Sequence, residues 1–207
     1  MNIKMKTFWE NTHKRETVSL LSGCKYDETI DFLQVSSLIK PRGYVLEVGV
    51  GLGHVTRGLY AAGATVCGLD ISGLALNRVK QYCERVFTVE EIAELPTDYF
   101  DVVICHNVIQ HIPTDLLIEE LEHIIRSLKT NGIFAMEFVS GDDVGDSWSP
   151  EYVYSKGLPT FTRSPEFMVS LVTSVGGECF EVVNNECNIG KVKGCHVFHT
   201  RRKRYDS

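Results

Sequence analysis

The sequence predicts an α/β protein with a mainly parallel sheet and helices on both faces. Three observations carry this. Short valine-rich runs alternate with helical stretches of about ten residues or more, a glycine-rich turn follows the first such run, and two strand-like runs close the chain.

In order, "TIDFLQVSSLI" (29–39) has apolar residues at helical spacing and is ended by Pro41-Arg42-Gly43. "YVLEVGV" is a short apolar run suited to a strand buried on both faces. "HVTRGLYAAG" returns to helical spacing, with Gly63 as its C-terminal cap. "TVCGLDI" is a second strand, "GLALNRVKQYC" a helix and "RVFTV" a third strand. A loop, "EEIAELPTDYF", leads to the fourth strand, "DVVICHN". "DLLIEELEHIIRSLKTNG" is the clearest helix, with a glycine stop, and "IFAMEFV" is the fifth strand. "SPEFMVSLVTSVGG" predicts a helix with Ser164 as N-cap and Pro165 at its first position. "CFEVVNNE" and "CHVFHTRR" can pair as a closing hairpin. With no internal repeat or linker, a single domain over 1–207 is expected.

Composition narrows the function. A net charge of −6 argues against an electrostatic nucleic-acid binder, and the "RRKR" tail lacks the interleaved aromatics of such a surface. No transmembrane run and no secretory signal pattern occur, so a cytoplasmic protein is expected. The seven cysteines include no Cys-x-x-Cys pair, which fits reduced structural thiols and no metal site.

Gly49, Gly51 and Gly53 directly follow the first strand, where open parallel sheets bind ligands. A Walker loop would need Gly-Lys-Ser/Thr, and the chain has Gly-His-Val. The dinucleotide pattern would need glycine at 54, where His54 stands. Glu47, inside the strand, would repel a pyrophosphate but could accept hydrogen bonds from a cationic amino-acid ligand.

"LEVGVGLG" resembles the Glu/Asp-x-Gly-x-Gly-x-Gly motif of class I S-adenosylmethionine-dependent methyltransferases. "GLDIS", "EEIAELPTDYFDVVICHNVIQHI" and "LEHIIRSLKTNGIFAMEF" resemble later family motifs in order and spacing, so the similarity runs from about 43 to 140. It implies a three-layer Rossmann-like sandwich, its seven-stranded, mostly parallel sheet ending in an antiparallel hairpin. Glu47 with the backbone of Gly49, Val50, Gly51 and Gly53 would hold the methionine end of S-adenosylmethionine. Asp70 would receive the ribose hydroxyls, with Ile71 flanking the adenine. Glu91, with Glu90 as its competitor, would face the adenine amino group, Ile92 would offer its N–H, and His106 would lie by the methionine portion.

Methyl transfer to a hydroxyl is helped by a base titrating near neutrality; His106 and His111 are the candidates, with Gln110 beside them. The acceptor pocket is expected from the poorly matching parts. These are an N-terminal helical cap (1–40) carrying Trp9 and His13, Glu137 at the fifth strand, and a lid over 141–161 carrying Trp148 and Tyr152. The expected reaction is O-methylation of a small molecule, a sugar or natural product, by a monomer or homodimer. The alternatives are N-methylation of a small amine, a protein or RNA methyltransferase, an NAD-dependent oxidoreductase, and a non-catalytic binder of the cofactor.

Overall fold

The computed structural model describes residues 3–14, 25–140, 161–185 and 194–203. Two helices open it, α1 (Ile3–Lys14) and α2 (Tyr26–Phe32). There follow β1 (Tyr44–Val48), α3 (His54–Ala61), β2 (Thr65–Asp70), α4 (Gly73–Val79), β3 (Arg85–Thr88) and β4 (Phe100–Cys105). The rest is α5 (Thr114–Ser127), β5 (Leu128–Ser140), α6 (Pro165–Ser174), β6 (Gly177–Asn185) and β7 (Gly194–Arg202).

The strands form one seven-stranded sheet in the order β3-β2-β1-β4-β5-β7-β6. Pairing is parallel from β3 through β5 and antiparallel at β5–β7 and β6–β7, as the hairpin expectation requires. Alternate residues of each strand enter separate cores. Leu46, Val103, Phe134, Met136 and Phe138 pack on one face with Leu117 and Leu121 of α5 and Met168 of α6. Val45, Ile104 and Ala135 pack on the other with Ile30 of α2 and Leu59 of α3. Strands buried on both faces lose the polar alternation of half-exposed ones, which is why their sequences look continuously apolar. Among the described residues no helix is long and apolar enough to cross a membrane.

Three local expectations are corrected. The first helix expected at 29–39 is α2, which starts at Tyr26 and ends at Phe32. The chain then turns through Gln34 at φ 55°, and Leu33 and Val35 enter the core from that turn, so their apolar spacing is not that of a helix face. Val89, expected to end the third strand, and the first half of the loop expected over 90–100 form a 3-10 turn, Val89–Glu94.

The third correction concerns Gly132. It does not stop a helix: α5 already ends at Ser127, where Tyr99 N–H bonds the Ser127 carbonyl at 2.9 Å and the backbone turns extended. Gly132 lies inside β5, where an added Cβ would come 2.6 Å from the Phe100 carbonyl oxygen and 3.1 Å from the backbone of Lys129. Those neighbours are backbone and cannot swing aside. Gly132→Ala is therefore expected to destabilise the fold by about 2 kcal/mol, checked by the midpoint of urea unfolding; an unchanged midpoint would contradict the packing argument.

Candidate functional site

β1 is paired with β2 on one side and β4 on the other, and in open α/β sheets the ligand crevice lies beyond the carboxyl ends of such strands. The turn after β1 is fastened twice to the end of β2. Gly49 N–H donates to the Leu69 carbonyl at 2.7 Å, and Gly51 N–H to Asp70 Oδ2 at 3.0 Å. Asp70 Oδ1 accepts from Ser72 N–H at 2.8 Å, and Ser72 in turn caps α4.

The glycines differ in their reason for being glycine. All three have positive φ, but a Cβ at Gly49 would strike Val108 Cγ2 at 2.2 Å. At Gly51 (φ 50°) an added Cβ meets nothing within 4 Å. The bare face of Gly51 therefore borders open space, which leaves room for a ligand against the backbone. The Val50 side chain points away, into the small core made with Leu76 and Val79 of α4.

Glu47 is buried and accepts a hydrogen bond from the Thr56 hydroxyl of α3. Burial pushes its carboxyl up to about 8; the Thr56 bond opposes the rise, the nearby Asp70 charge adds to it, and Arg57 opposes it. Burial also raises Asp70, against its two backbone N–H bonds and the neighbouring His13. Both are acids made costly to ionise by the site that encloses them.

Across the crevice, His106 follows β4. Burial lowers its imidazole to about 4, so it is neutral at physiological pH. Its Nε2 lies 3.4 Å from Glu137 Oε2 of β5, and the ring packs on Phe32 of α2 with centroids 5.4 Å apart. The same Glu137 oxygen accepts Asn107 N–H at 2.8 Å. Gln110 and His111 are buried in the next turn, with Gln110 Nε2 3.4 Å from Asn107 Oδ1 and Gln110 Oε1 without a hydrogen-bond partner among the described residues.

α1 lies over this ground. Lys6 pairs with Glu90 at 2.7 Å, and Glu10 Oε1 accepts Gly73 N–H at 2.8 Å. Trp9 meets the His111 ring edge-on at 5.3 Å, and His13 is buried within the field of Asp70. Burial lowers the His13 pKa, and its Nδ1 has no hydrogen-bond partner among the described residues.

The structure thus brings together Glu47, Gly51, Asp70, His106, His111, Glu137, Trp9 and His13. Ile71 is half-buried just after β2, and Ile92 is buried in the core. Glu91 is exposed and engaged elsewhere, since it accepts both the N–H and the hydroxyl of Thr88, which hold its pKa below the usual range. Its neighbour Glu90 is the acid that meets α1. Trp148 and Tyr152 lie outside the described residues. No cluster of metal-ligating residues occurs among the described ones.

Two participants were missed from sequence. Asn107 adopts φ 60°, a left-handed conformation that asparagine tolerates; its position after a strand was the available signal. Arg163 is 1% exposed and donates to the carbonyls of Ile109 (3.1 Å) and Ile112 (2.5 Å) and to Thr114 Oγ1. With Phe161 N–H on the Gln110 carbonyl (2.6 Å), it fixes the turn that carries Gln110 and His111. Nothing in the sequence distinguishes that arginine from a solvated one.

Fold and site together give an α/β domain with buried carboxylates, not a phosphate cradle, at its strand ends. Residues 46–134 match the family described as "Methyltransferase domain". The ubiquinone biosynthesis O-methyltransferase of Nitrosomonas europaea is 32% identical over 96 residues, 42% of this chain and 40% of the relative. That of Actinobacillus pleuropneumoniae is 26% identical over 139 residues, 61% of this chain and 57% of the relative. The chain thus spans about half the length of these curated relatives.

Among solved structures, the Burkholderia thailandensis 1,6-didemethyltoxoflavin-N1-methyltransferase aligns with TM-score 0.70 at 17% identity, covering 97% of this chain and 88% of that one. The [4+2]-cyclase SpnF aligns with TM-score 0.67 at 14% identity, covering 86% and 80%. At such identities the likeness shows the fold, and the cyclase shows that the fold alone does not fix the reaction. Residues 46–134 thus match a methyltransferase domain, and the chain shares its fold with S-adenosylmethionine-dependent methyltransferases.

The two glycines give a discriminating test. Gly51→Ala is expected to cost about 1 kcal/mol of stability through its positive φ and to weaken S-adenosylhomocysteine binding at least tenfold. Gly49→Ala is expected to lower the melting temperature well beyond that. Equal effects of both changes on stability and on calorimetric affinity would contradict the assignment of an open ligand face to Gly51.

Proposed function

We propose that this chain transfers the methyl group of S-adenosylmethionine to a hydroxyl of a small-molecule acceptor. The observation that carries the reading is the open face of Gly51 between two buried carboxylates, Glu47 and Asp70, in a segment matching the methyltransferase domain family. Asp70, already oriented by two backbone N–H groups, would accept the ribose hydroxyls. Glu47 would face the cationic amino-acid end, and Glu90, fastened to α1, takes the adenine side in preference to Glu91.

The relatives' shared name, an O-methyltransferase of ubiquinone biosynthesis, supports oxygen as the atom methylated. It does not favour the sugar or natural-product acceptor expected from sequence. In the reaction the acceptor oxygen attacks the methyl carbon in line, the carbon–sulfur bond breaks, and the hydroxyl proton goes to His106. Burial, which lowers it to about 4, makes that imidazole neutral but a weaker base than the near-neutral one the sequence suggests, so the transfer relies on Glu137 beside it to stabilise the imidazolium as it forms. Trp9 and His111 would wall the acceptor side.

Cofactor binding tests this directly. Asp70→Ala is expected to weaken S-adenosylhomocysteine at least tenfold, about 1.4 kcal/mol, with no measurable NAD binding by the wild type. Glu47, mostly protonated at pH 7 with its carboxyl at about 8, must ionise to pair with an ammonium. Binding at pH 7 should therefore release close to one proton, read as a dependence of the calorimetric enthalpy on buffer ionisation. Affinity should rise between pH 6 and 8, and Glu47→Gln should abolish the release. Proton-neutral binding by the wild type would exclude this role for Glu47.

A further inference from the structure

A second hollow, of about 460 Å³, is lined by Leu52, His54, Arg57, Arg78, Gln81 and Tyr82. It shares no side chain with the crevice of Glu47, Asp70, His106 and Glu137, and among the described residues that line it none is acidic. In a chain of net charge −6, an open hollow with two arginines, a histidine and no carboxylate is out of keeping with the average surface.

Its donors are held in place. Arg57 Nη1 donates to the Leu52 carbonyl at 3.1 Å, and its Nη2 lies 3.2 Å from His54 Nδ1. A guanidinium only donates, so Nδ1 is the acceptor in that contact and the imidazole proton sits on Nε2. Arg78, from α4, uses one Nη2 hydrogen on the His13 carbonyl at 2.9 Å. Each guanidinium keeps further N–H groups, and among the described residues neither is ion-paired with a carboxylate. The acid whose field reaches Arg57 is Glu47, buried and mostly neutral at pH 7. His54 is also the first residue of α3, the positive end of that helix.

We propose that this hollow binds a phosphate group, carried by the free ion or by a phosphate monoester. A tetrahedral dianion accepts from several donors at once, and planar guanidiniums match its paired oxygens. The Gln81 amide and Tyr82 hydroxyl add two more donors. The Tyr82 ring, edge-on to Tyr60 at 5.5 Å, is a wall for the organic part of a monoester. The proposal is independent of methyl transfer and would stand whatever reaction the crevice performs.

Calorimetric titration of the whole chain with inorganic phosphate and with phenyl phosphate, against chloride at matched ionic strength, tests it. Saturable binding of at least one phosphate probe is expected, weakened at least tenfold by Arg57→Gln and by Gln81→Glu. The second variant alters only an exposed side chain, so it decides the matter even if Arg57→Gln disturbs the glycine turn. Tighter binding of phenyl phosphate assigns the hollow to a monoester; tighter binding of the inorganic ion assigns it to free phosphate. Heat that matched chloride reproduces, or unchanged affinity in Gln81→Glu, overturns the proposal.

Discussion

The parallel pairing of β1 with both neighbours is the constraint on which the rest depends. Because Val48 is opposite Leu69 on one side, Gly49 N–H continues the ladder onto the Leu69 carbonyl, and Asp70 then falls within reach of Gly51 N–H. Because Val48 is opposite Cys105 on the other, the chain leaving β4 places His106 across from the glycine turn. A slip of one residue in either register would turn Glu47 toward the opposite core and lose the whole arrangement. The two cores enforce the register. Leu46 and Val48 belong to one and Val45 to the other, leaving Glu47 as the sole acid in β1, on the α2–α3 face where Thr56 can meet it.

The same geometry accounts for the buried arginine. Besides the Ile109 carbonyl, which Ile112 N–H already meets, the short 3-10 turn after β4 presents the Gln110 and Ile112 carbonyls, and burying carbonyls unpaired would cost about 1–3 kcal/mol each. Arg163 supplies donors to the Ile109 and Ile112 carbonyls and to Thr114, and Phe161 N–H supplies one to the Gln110 carbonyl. The segment just before α6 thus becomes part of the site's framework without a catalytic role. α1 does comparable work from the other end of the chain, joining Glu90, Gly73 and His111, which lie beyond three different strands.

The alternation of elements was legible because doubly buried strands and amphipathic helices leave distinct patterns, and Ser164-Pro165 marked a helix start that the structure reproduces. Gly51, Glu47 and Asp70 stood out in the sequence because a glycine-rich turn after a strand and acids within apolar runs are unusual, and the structure buries both acids and gives Gly51 a positive φ. What stayed hidden depended on phase or on distant partners. Glu90 and Glu91 differ by one residue, and only the Thr88 cap shows which of them is turned away. Gly132 looked like a helix stop because a helix end and a crowded strand both exclude Cβ. Arg163 is defined by carbonyls about fifty positions away, which no local pattern encodes.

The charge balance of the crevice argues for the kind of ligand it suits. Glu47, Asp70 and Glu137 are buried near one another's strand ends, while the two histidines among them, His13 and His106, are kept neutral by burial. Burial is the main reason Glu47 and Asp70 resist ionisation, with the Asp70 charge adding to it at Glu47 and the Glu10 charge at Asp70. A dinucleotide would bring a negative pyrophosphate to this place and deepen the conflict. On the proposed assignment, S-adenosylmethionine brings an ammonium and a sulfonium and relieves it. Transfer of the methyl group leaves a neutral thioether, so one of the two charges that favour binding is gone once the reaction is complete. The acids that draw the cofactor in therefore hold its product less strongly, and the same electrostatics that select the ligand also favour turnover.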